Sequence, residues 1–213
     1  MKRRVIVGGA DIKNYEAVRE YLRPDDYFIV CDSGLKHLEG LMIHPNEIVG
    51  DFDSHENPHM DVPTTVLPTE KDDTDTVYAV RQELSRGADN FLLVGVIGNR
   101  IDHTLGNVSI LTKLAKRGAR GMIVDDYSEM IAISGDSQYF NQATVNDSFE
   151  FFSVVALSEK AEGITIENAK YEISDAVIKN DYQYGLSNEV TPGMTARITV
   201  KRGDLLIVKD RKQ

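Results

Sequence analysis

Through about residue 126, short apolar runs alternate with stretches of helical period, and this alternation narrows the fold more than any other feature. Arg4–Val7, Tyr27–Val30, Thr64–Leu67, Phe91–Ile97 and Met122–Val124 read as strands, and Ile48-Val49 is a further apolar run. Tyr15, Val18 and Leu22 mark a helix ended by Pro24, and a shorter helix follows over Leu35–Leu41. Val77, Val80 and Leu84 stripe another helix, ended by Gly87, while Val108, Leu111 and Ala115 stripe one closed by Gly118. Strands separated by helices predict a parallel sheet in Rossmann-like α/β layers, since parallel neighbours need a crossover connection. Phe91–Ile97 is apolar without interruption, as a strand covered on both faces must be.

Near residue 129 the pattern changes. Met130–Ile133, Phe149–Leu157, Ile164–Glu167, Tyr171–Ile173, Arg197–Val200 and Leu205–Val208 are short segments divided by Gly, Asn, Asp and Ser. The expectation is an α/β domain over residues 1–130 and a smaller antiparallel β domain, sandwich-like or barrel-like, over 131–213, with the boundary within 127–142.

The formal net charge of −10 argues against non-specific nucleic-acid binding, which needs a basic stripe. It leaves a nucleotide site open, because a bound metal can supply positive charge. With the single cysteine Cys31 no intrachain disulfide forms, which fits a reducing cytoplasm. The first nine residues hold too short an apolar run for a leader, and no run approaches a membrane span.

The acids and glycines fall where they bear on chemistry. Gly8-Gly9, Asp32, Asp51, Asp53, Asp72, Asp73, Asp75 and Asp102 all follow predicted strands, and strand carboxyl ends form the ligand crevice of an open parallel sheet. In Gly50-Asp51-Phe52-Asp53-Ser54, two carboxylates stand two residues apart; on an extended backbone they point the same way. Such a pair suits Mg²⁺, or it is an acidic turn that caps the next segment. Asp72, Asp73 and Asp75 lie within four positions beside Lys71 at a helix mouth. One cap needs one acid, so a cation is the better account of three. Gly98-Asn99-Arg100-Ile101-Asp102-His103 joins a buried strand to a helix whose free N–H groups and Arg100 guanidinium suit phosphate oxygens. Asp102 is either a cap or a ligand contact, and His103 either orients Asp102 or touches ligand, with Asn107 one turn on. No Walker-type loop, complete dinucleotide fingerprint, Cys/His zinc spacing or Gly-x-Ser-x-Gly elbow is present.

Taken together, Gly50-Asp51-Phe52-Asp53-Ser54, Lys71-Asp72-x-Thr74-Asp75 and Gly98-x-Arg100-x-Asp102-His103 with Asn107 resemble the thiamine pyrophosphokinase family in order and spacing. Gly185-Leu186-Ser187-Asn188-Glu189 is similar to that family's Ser-Asn-Glu segment. Asn99 stands where a glycine is common, and Phe152-Ser153-Val154-Val155 lacks the proline often seen after that serine. With no tryptophan in the chain, Tyr171 or Tyr184 is left to stack on a thiamine ring. The resemblance implies a nucleotide- and Mg²⁺-binding catalytic α/β domain and a thiamine-binding β-sandwich. It implies an ATP-dependent transfer of a pyrophosphoryl group to the hydroxyl of thiamine, giving AMP and thiamine diphosphate, by a cytoplasmic homodimer with shared sites. Asp51, Asp53, Asp73 and Asp75 would hold magnesium, with Asp51, Asp53, Asp75 and Asp102 catalytic. Asp32, Lys71, Asp72, Thr74, Gly98, Arg100, His103 and Asn107 would face ATP. Asp102, Tyr171, Ser187 and Asn188 would face thiamine, Ser187 and Asn188 from the partner subunit. A metal-dependent phosphohydrolase and a non-catalytic nucleotide or thiamine sensor are the rival readings.

Overall fold

The computed structural model describes residues 2–52, 59–70, 72–98 and 100–212. The chain divides into two compact units, Met1–Ile110 with Ile123–Asp126, and Leu111–Met122 with Tyr127–Gln213.

In the first unit, β1 (Arg4–Val7), α1 (Tyr15–Arg19), β2 (Tyr27–Cys31), a 3-10 turn (Asp32–His37), α2 (Leu38–Leu41), β3 (Glu47–Gly50), β4 (Thr64–Val66), α3 (Asp75–Ser85) and β5 (Asn90–Val94) follow in order. The strands lie β4-β3-β2-β1-β5 and every pair is parallel. The order runs outward from β1 to β4 on one side and places β5 on the other. The order in which strands are laid down thus reverses between β1 and β5, and loops leaving such a switch point part to form a crevice. Val5, Ile6, Val7, Leu92, Leu93 and Val94 are all fully buried, as continuous apolar strands in a two-faced sheet require.

Two expected details differ. The last regular strand residue is Val94, not Ile97, because Gly95 takes a φ of +62° and turns the chain. On α3 the buried stripe is Thr76, Ala79, Val80 and Glu83 rather than Val77, Val80 and Leu84. Glu83 is drawn inward by ion pairs to Arg4 and Arg86, the latter at 2.6 Å, and Arg86 also reaches the buried Glu47 at 2.8 Å. A paired carboxylate tolerates burial that an isolated one would not.

Two elements, α4 (Ile101–Lys116) and β6 (Arg120–Val124), contribute residues to both units. The second unit continues with β7 (Ser128–Ser134), β8 (Gln142–Asn146), β9 (Phe149–Ala156), β10 (Lys160–Glu167), β11 (Ile173–Lys179), β12 (Thr195–Thr199) and β13 (Asp204–Arg211). Here β13 pairs antiparallel with β7 and β9, and a second antiparallel sheet runs β11-β10-β12-β8. Burial alternates along β8 and β12, so one face of each supplies core residues. Phe152, Val154, Ile164, Ile198, Leu205 and Ile207, drawn from both sheets, are fully buried in one apolar cluster. This is the expected antiparallel sandwich, with β8 added and with β11 starting where the expected Tyr171–Ile173 strand ends. The alternation in Gln142–Asn146 places only Ala143 and Val145 inward, too few apolar residues to stand out in sequence.

Candidate active site

Three carboxylates meet at the strand carboxyl ends of the first unit. Asp32 follows β2, Asp51 follows β3, and Asp75 opens α3. One ligand atom from each lies within 4.8 Å of the others. Parallel pairing explains the meeting: Cys31 lies opposite Val49, so the residues that follow each strand emerge side by side. Thr74 is the cap of α3, its Oγ1 accepting from the Val77 N–H at 3.3 Å. Capping is therefore done without a carboxylate, and Asp75 stands in the first turn, where the helix dipole favours negative charge.

The donors suit a hard cation. Asp32 is buried; its Oδ1 accepts from the Ser33 N–H, and its Oδ2 has no hydrogen-bond partner among the described residues. A buried carboxylate oxygen without a donor is costly unless a cation faces it. Carboxylate oxygens together with substrate phosphates are the donors Mg²⁺ takes. Asp32, Asp51 and Asp75 are thus the residues that fit a magnesium ion.

The expected geometry of the Asp51 turn is different in one respect. β3 ends at Gly50, and Phe52 has a φ of 54°, so the backbone has left the extended form and strand alternation no longer fixes which way Asp51 points. Asp53 and Lys71 lie outside the described residues. Asp73 makes an ion pair with Arg81 at 2.6 Å and is not one of the three clustered carboxylates, although it lines the same cavity as they do.

Two cavities flank these acids. One, of about 400 Å³, is lined by Asp32, Asp51, Asp72, Asp75, Arg100 and His103. The other, of about 260 Å³, is lined by the loops after β1 and β5, including Gly8, Gly9, Gly95 and Gly98, with Ser33, Thr74 and Asn107. The loops are tied together: the Gly8 N–H donates to Val94 C=O at 2.9 Å, and the Ala10 N–H to Gly95 C=O at 2.8 Å. Asn107 is buried and its Nδ2 donates to Val96 C=O at 2.8 Å, so it holds the second loop. Thr104 Oγ1 accepts from the Gly98 N–H at 3.2 Å. His37 Nε2 lies 2.9 Å from Ala10 C=O and its Nδ1 lies 2.7 Å from the Tyr15 hydroxyl. With Nε2 protonated, both bonds form with a neutral ring. Burial pushes the His37 pKa down, which favours that neutral ring.

Arg100 and Asp102 are exposed and bound to each other through two bonds, Nε to Oδ1 at 3.0 Å and Nη2 to Oδ2 at 2.6 Å. The guanidinium holds the Asp102 carboxyl far below the usual carboxylate range, so it is an ionised acceptor rather than a base at neutral pH. His103 is exposed and borders both cavities.

The second unit carries a cavity of about 450 Å³ lined by Ile166, Tyr171, Ile173, Tyr184, Leu186 and Ser187. Asn188 borders it but turns its side chain to the backbone. Its Oδ1 accepts from the N–H groups of Tyr171 at 3.0 Å and Glu189 at 2.9 Å, and its Nδ2 donates to Tyr171 C=O at 2.9 Å. Its own N–H and C=O pair with Phe152, both at 2.8 Å. Ser187 has a φ of 55°, and its N–H donates to Ser153 Oγ at 3.1 Å.

Sequence reading placed Asp32 beside ATP rather than among the metal ligands. The available signal was that Asp32 and Asp51 both end strands, but which strands are neighbours is a property of topology. Gly8-Gly9 lines the cavity after β1 as the sequence places it, whereas Ser33 and Gly95 carry no sequence signal of a cavity wall.

Residues 18–123 match the model of the thiamin pyrophosphokinase catalytic domain, and residues 142–205 that of the thiamin pyrophosphokinase vitamin B1 binding domain. A thiamine pyrophosphokinase of Bacillus subtilis (strain 168) is 27% identical over 196 residues, covering 89% of this chain and 90% of the relative. A crystal structure of thiamine pyrophosphokinase from Bacillus subtilis aligns over 100% of both chains with a TM-score of 0.85 at 21% identity. One from Geobacillus thermodenitrificans aligns over 100% of this chain and 99% of that one, with a TM-score of 0.80 at 24% identity. At these identities the structural likenesses speak for the fold, while the two domain matches lie over the two units that carry the cavities. The chain belongs to the thiamine pyrophosphokinase family.

Proposed function

We propose that this chain transfers the pyrophosphoryl group of ATP to the hydroxyl of thiamine, releasing AMP. The observation that carries the reading is the Asp32–Asp51–Asp75 cluster, with the buried Asp32 oxygen, beside a glycine-walled cavity at the sheet's switch point. Backbone walls admit phosphates closely, and the acids suit the cation that accompanies a triphosphate. Magnesium held there by Asp32, Asp51 and Asp75 would supply positive charge against the negative charge of the phosphates. Asp53 and Asp73 belong to its surroundings, the latter once free of Arg81.

Lys71 and Arg100 serve the phosphates, with Asp72, Thr74, Gly98, His103 and Asn107 shaping the nucleotide side. The thiamine oxygen forms a bond to the β-phosphorus as the bond from that phosphorus to the bridging oxygen breaks; AMP keeps the bridging oxygen. Such transfer depends on alignment and charge more than on a strong base. Asp102, kept ionised, accepts a hydrogen bond from the thiamine hydroxyl or amine and orients it. The hydroxyl proton leaves for solvent as the new P–O bond forms.

The second unit supplies a setting for a cationic heteroaromatic ring: Tyr171 and Tyr184 give π faces, and Ser187 a hydroxyl. Asn188 acts there by holding the Tyr171 backbone. The chain works as a cytoplasmic homodimer in which a second copy completes each site. Exposed Tyr171, Val177, Tyr182, Tyr184 and Leu186 on and around β11, a strand at the end of its sheet, support an apolar partner surface. Among the described residues no helix is long and apolar enough to cross a membrane.

The test is to incubate the protein with ATP, Mg²⁺ and thiamine and separate the products. AMP formed one-for-one with thiamine diphosphate is expected. ADP with thiamine monophosphate would move attack to the γ-phosphorus. Pyrophosphate or phosphate with unchanged thiamine would make the chain a hydrolase.

A further inference from the structure

Gly50 is buried in β3 with a backbone that other residues can adopt; its φ lies outside the left-handed region. The reason for glycine is space. A Cβ at Gly50 would lie 2.5 Å from Asp32 Cβ, 3.1 Å from Asp32 Cγ and 3.2 Å from Asp32 N. The strand has little freedom to relieve the overlap. Val49 is paired with Cys31 of β2, Gly50 with Val66 of β4, and Gly50 C=O accepts from the Leu67 N–H at 2.8 Å. Nor is there room for the Asp32-Ser33 turn to swing as a block. On its far flank, Gly9 lies so close that a Cβ there would overlap Ser33 Oγ and Cβ. Relief must come from a local shift of Asp32 itself, Cβ included, and that shift carries the carboxylate that belongs to the three-carboxylate cluster and whose Oδ2 has no hydrogen-bond partner among the described residues.

We propose that Gly50 is a positioning residue for the divalent-cation site, leaving the space in which Asp32 leans across β3 to join Asp51 and Asp75. Mg²⁺ and Mn²⁺ accept a narrow range of ligand distances, so a shift of about an ångström in one buried carboxylate weakens the site. The inference rests on the cation reading of the cluster but not on thiamine as acceptor.

The test is a Mn²⁺ titration of the ligand-free full chain, followed by electron paramagnetic resonance of free Mn²⁺, with no nucleotide or thiamine present. Gly50→Ala is expected to weaken Mn²⁺ binding at least tenfold. In an Asp32→Asn background the same change should weaken it less than twofold, because the group it displaces has already lost its charge. Unaltered affinity in Gly50→Ala overturns the proposal, as does an equal loss in both backgrounds. If Gly50→Ala unfolds too readily to titrate, its loss of unfolding temperature should largely vanish when both chains compared carry Asp32→Gly; an equal loss in that background shows that the clash is not with Asp32. A parent chain that takes up no Mn²⁺ removes the cation reading and this proposal together. Mn²⁺ uptake without pyrophosphoryl transfer removes only the function proposed above.

Discussion

In the first unit the cavity walls are loops at strand ends, held to one another by backbone hydrogen bonds, and carboxylates from three places in the chain cluster beside them. In the second unit the wall is aromatic and aliphatic side chain, and a buried amide, Asn188, secures it from behind. The first arrangement fits a charged, phosphate-rich ligand whose attraction is electrostatic. The second fits a flat ring whose attraction is contact area. The difference teaches where each unit is vulnerable. Charge removal at the carboxylates should cost chemistry and spare the fold, whereas loss of Asn188 should cost the fold and recognition together.

The largest effect expected is at Asp75. Asp75→Asn keeps the shape and removes one of three clustered negative charges, so turnover should fall by about 10²–10³, the scale of losing one preorganised electrostatic group. Thermal unfolding without ligand should stay within a degree or two or rise, because like-charge repulsion is relieved. The pair of measurements is steady-state AMP release and calorimetry on the same preparation. Near-parental turnover would remove Asp75 from the chemistry; a large loss of stability would make it a structural acid and erase the contrast.

Asn188→Ala should reverse that pattern. Three side-chain hydrogen bonds to Tyr171 and Glu189 are lost, at about 1–3 kcal/mol for groups left unsatisfied. Unfolding free energy should drop by that amount, and the KM for thiamine should rise severalfold with the KM for ATP unchanged. A fall in kcat with both KM values and stability intact would mean that Asn188 touches the reacting groups.

The sequence made the layer architecture plain because strands such as Leu92-Leu93-Val94 are apolar throughout and helices such as α4 bury Leu111 and Ala115 of the expected stripe, with Val108 half-buried. It also made plain that acids follow strands. It did not show that Asp32 joins Asp51, since that depends on β2 and β3 being neighbours in register. Asp73 reads like its neighbours, yet it pairs with Arg81 along α3. Asn188 reads as a ligand contact through the resemblance of its Ser-Asn-Glu segment; it borders the cavity, and its amide also pairs with the Tyr171 backbone, which no local pattern announces. The buried stripe of α3 departs from its apolar pattern because Glu83, polar in sequence, is buried with arginine partners. In each case the deciding contact is long-range or paired, and local periodicity carries no record of it.

The smallest effect separates the two ways the units secure their cavity walls. His37 holds the Ala10 carbonyl as Asn188 holds Tyr171, but an imidazole titrates and an amide does not. Burial is the main influence pushing the His37 pKa down, and Lys36 acts the same way. The Ala10 carbonyl, Asp11 and Asp126 oppose them. The folded pKa is therefore below the unfolded value near 6.5, so between the two values the unfolded chain binds more protons. The stability owed to neutral His37 is complete above about pH 6.5 and declines as pH falls through the folded pKa, with a slope of at most about 1.4 kcal/mol per pH unit. His37→Gln cannot titrate, so the gap between parent and variant in urea unfolding should be constant from pH 8 to 7 and narrow below pH 6.5 as the parent weakens. A gap that stays the same down to pH 5 would mean that His37 is not held neutral. The glycine-walled cavity would then be secured as independently of pH as the tyrosine-walled one.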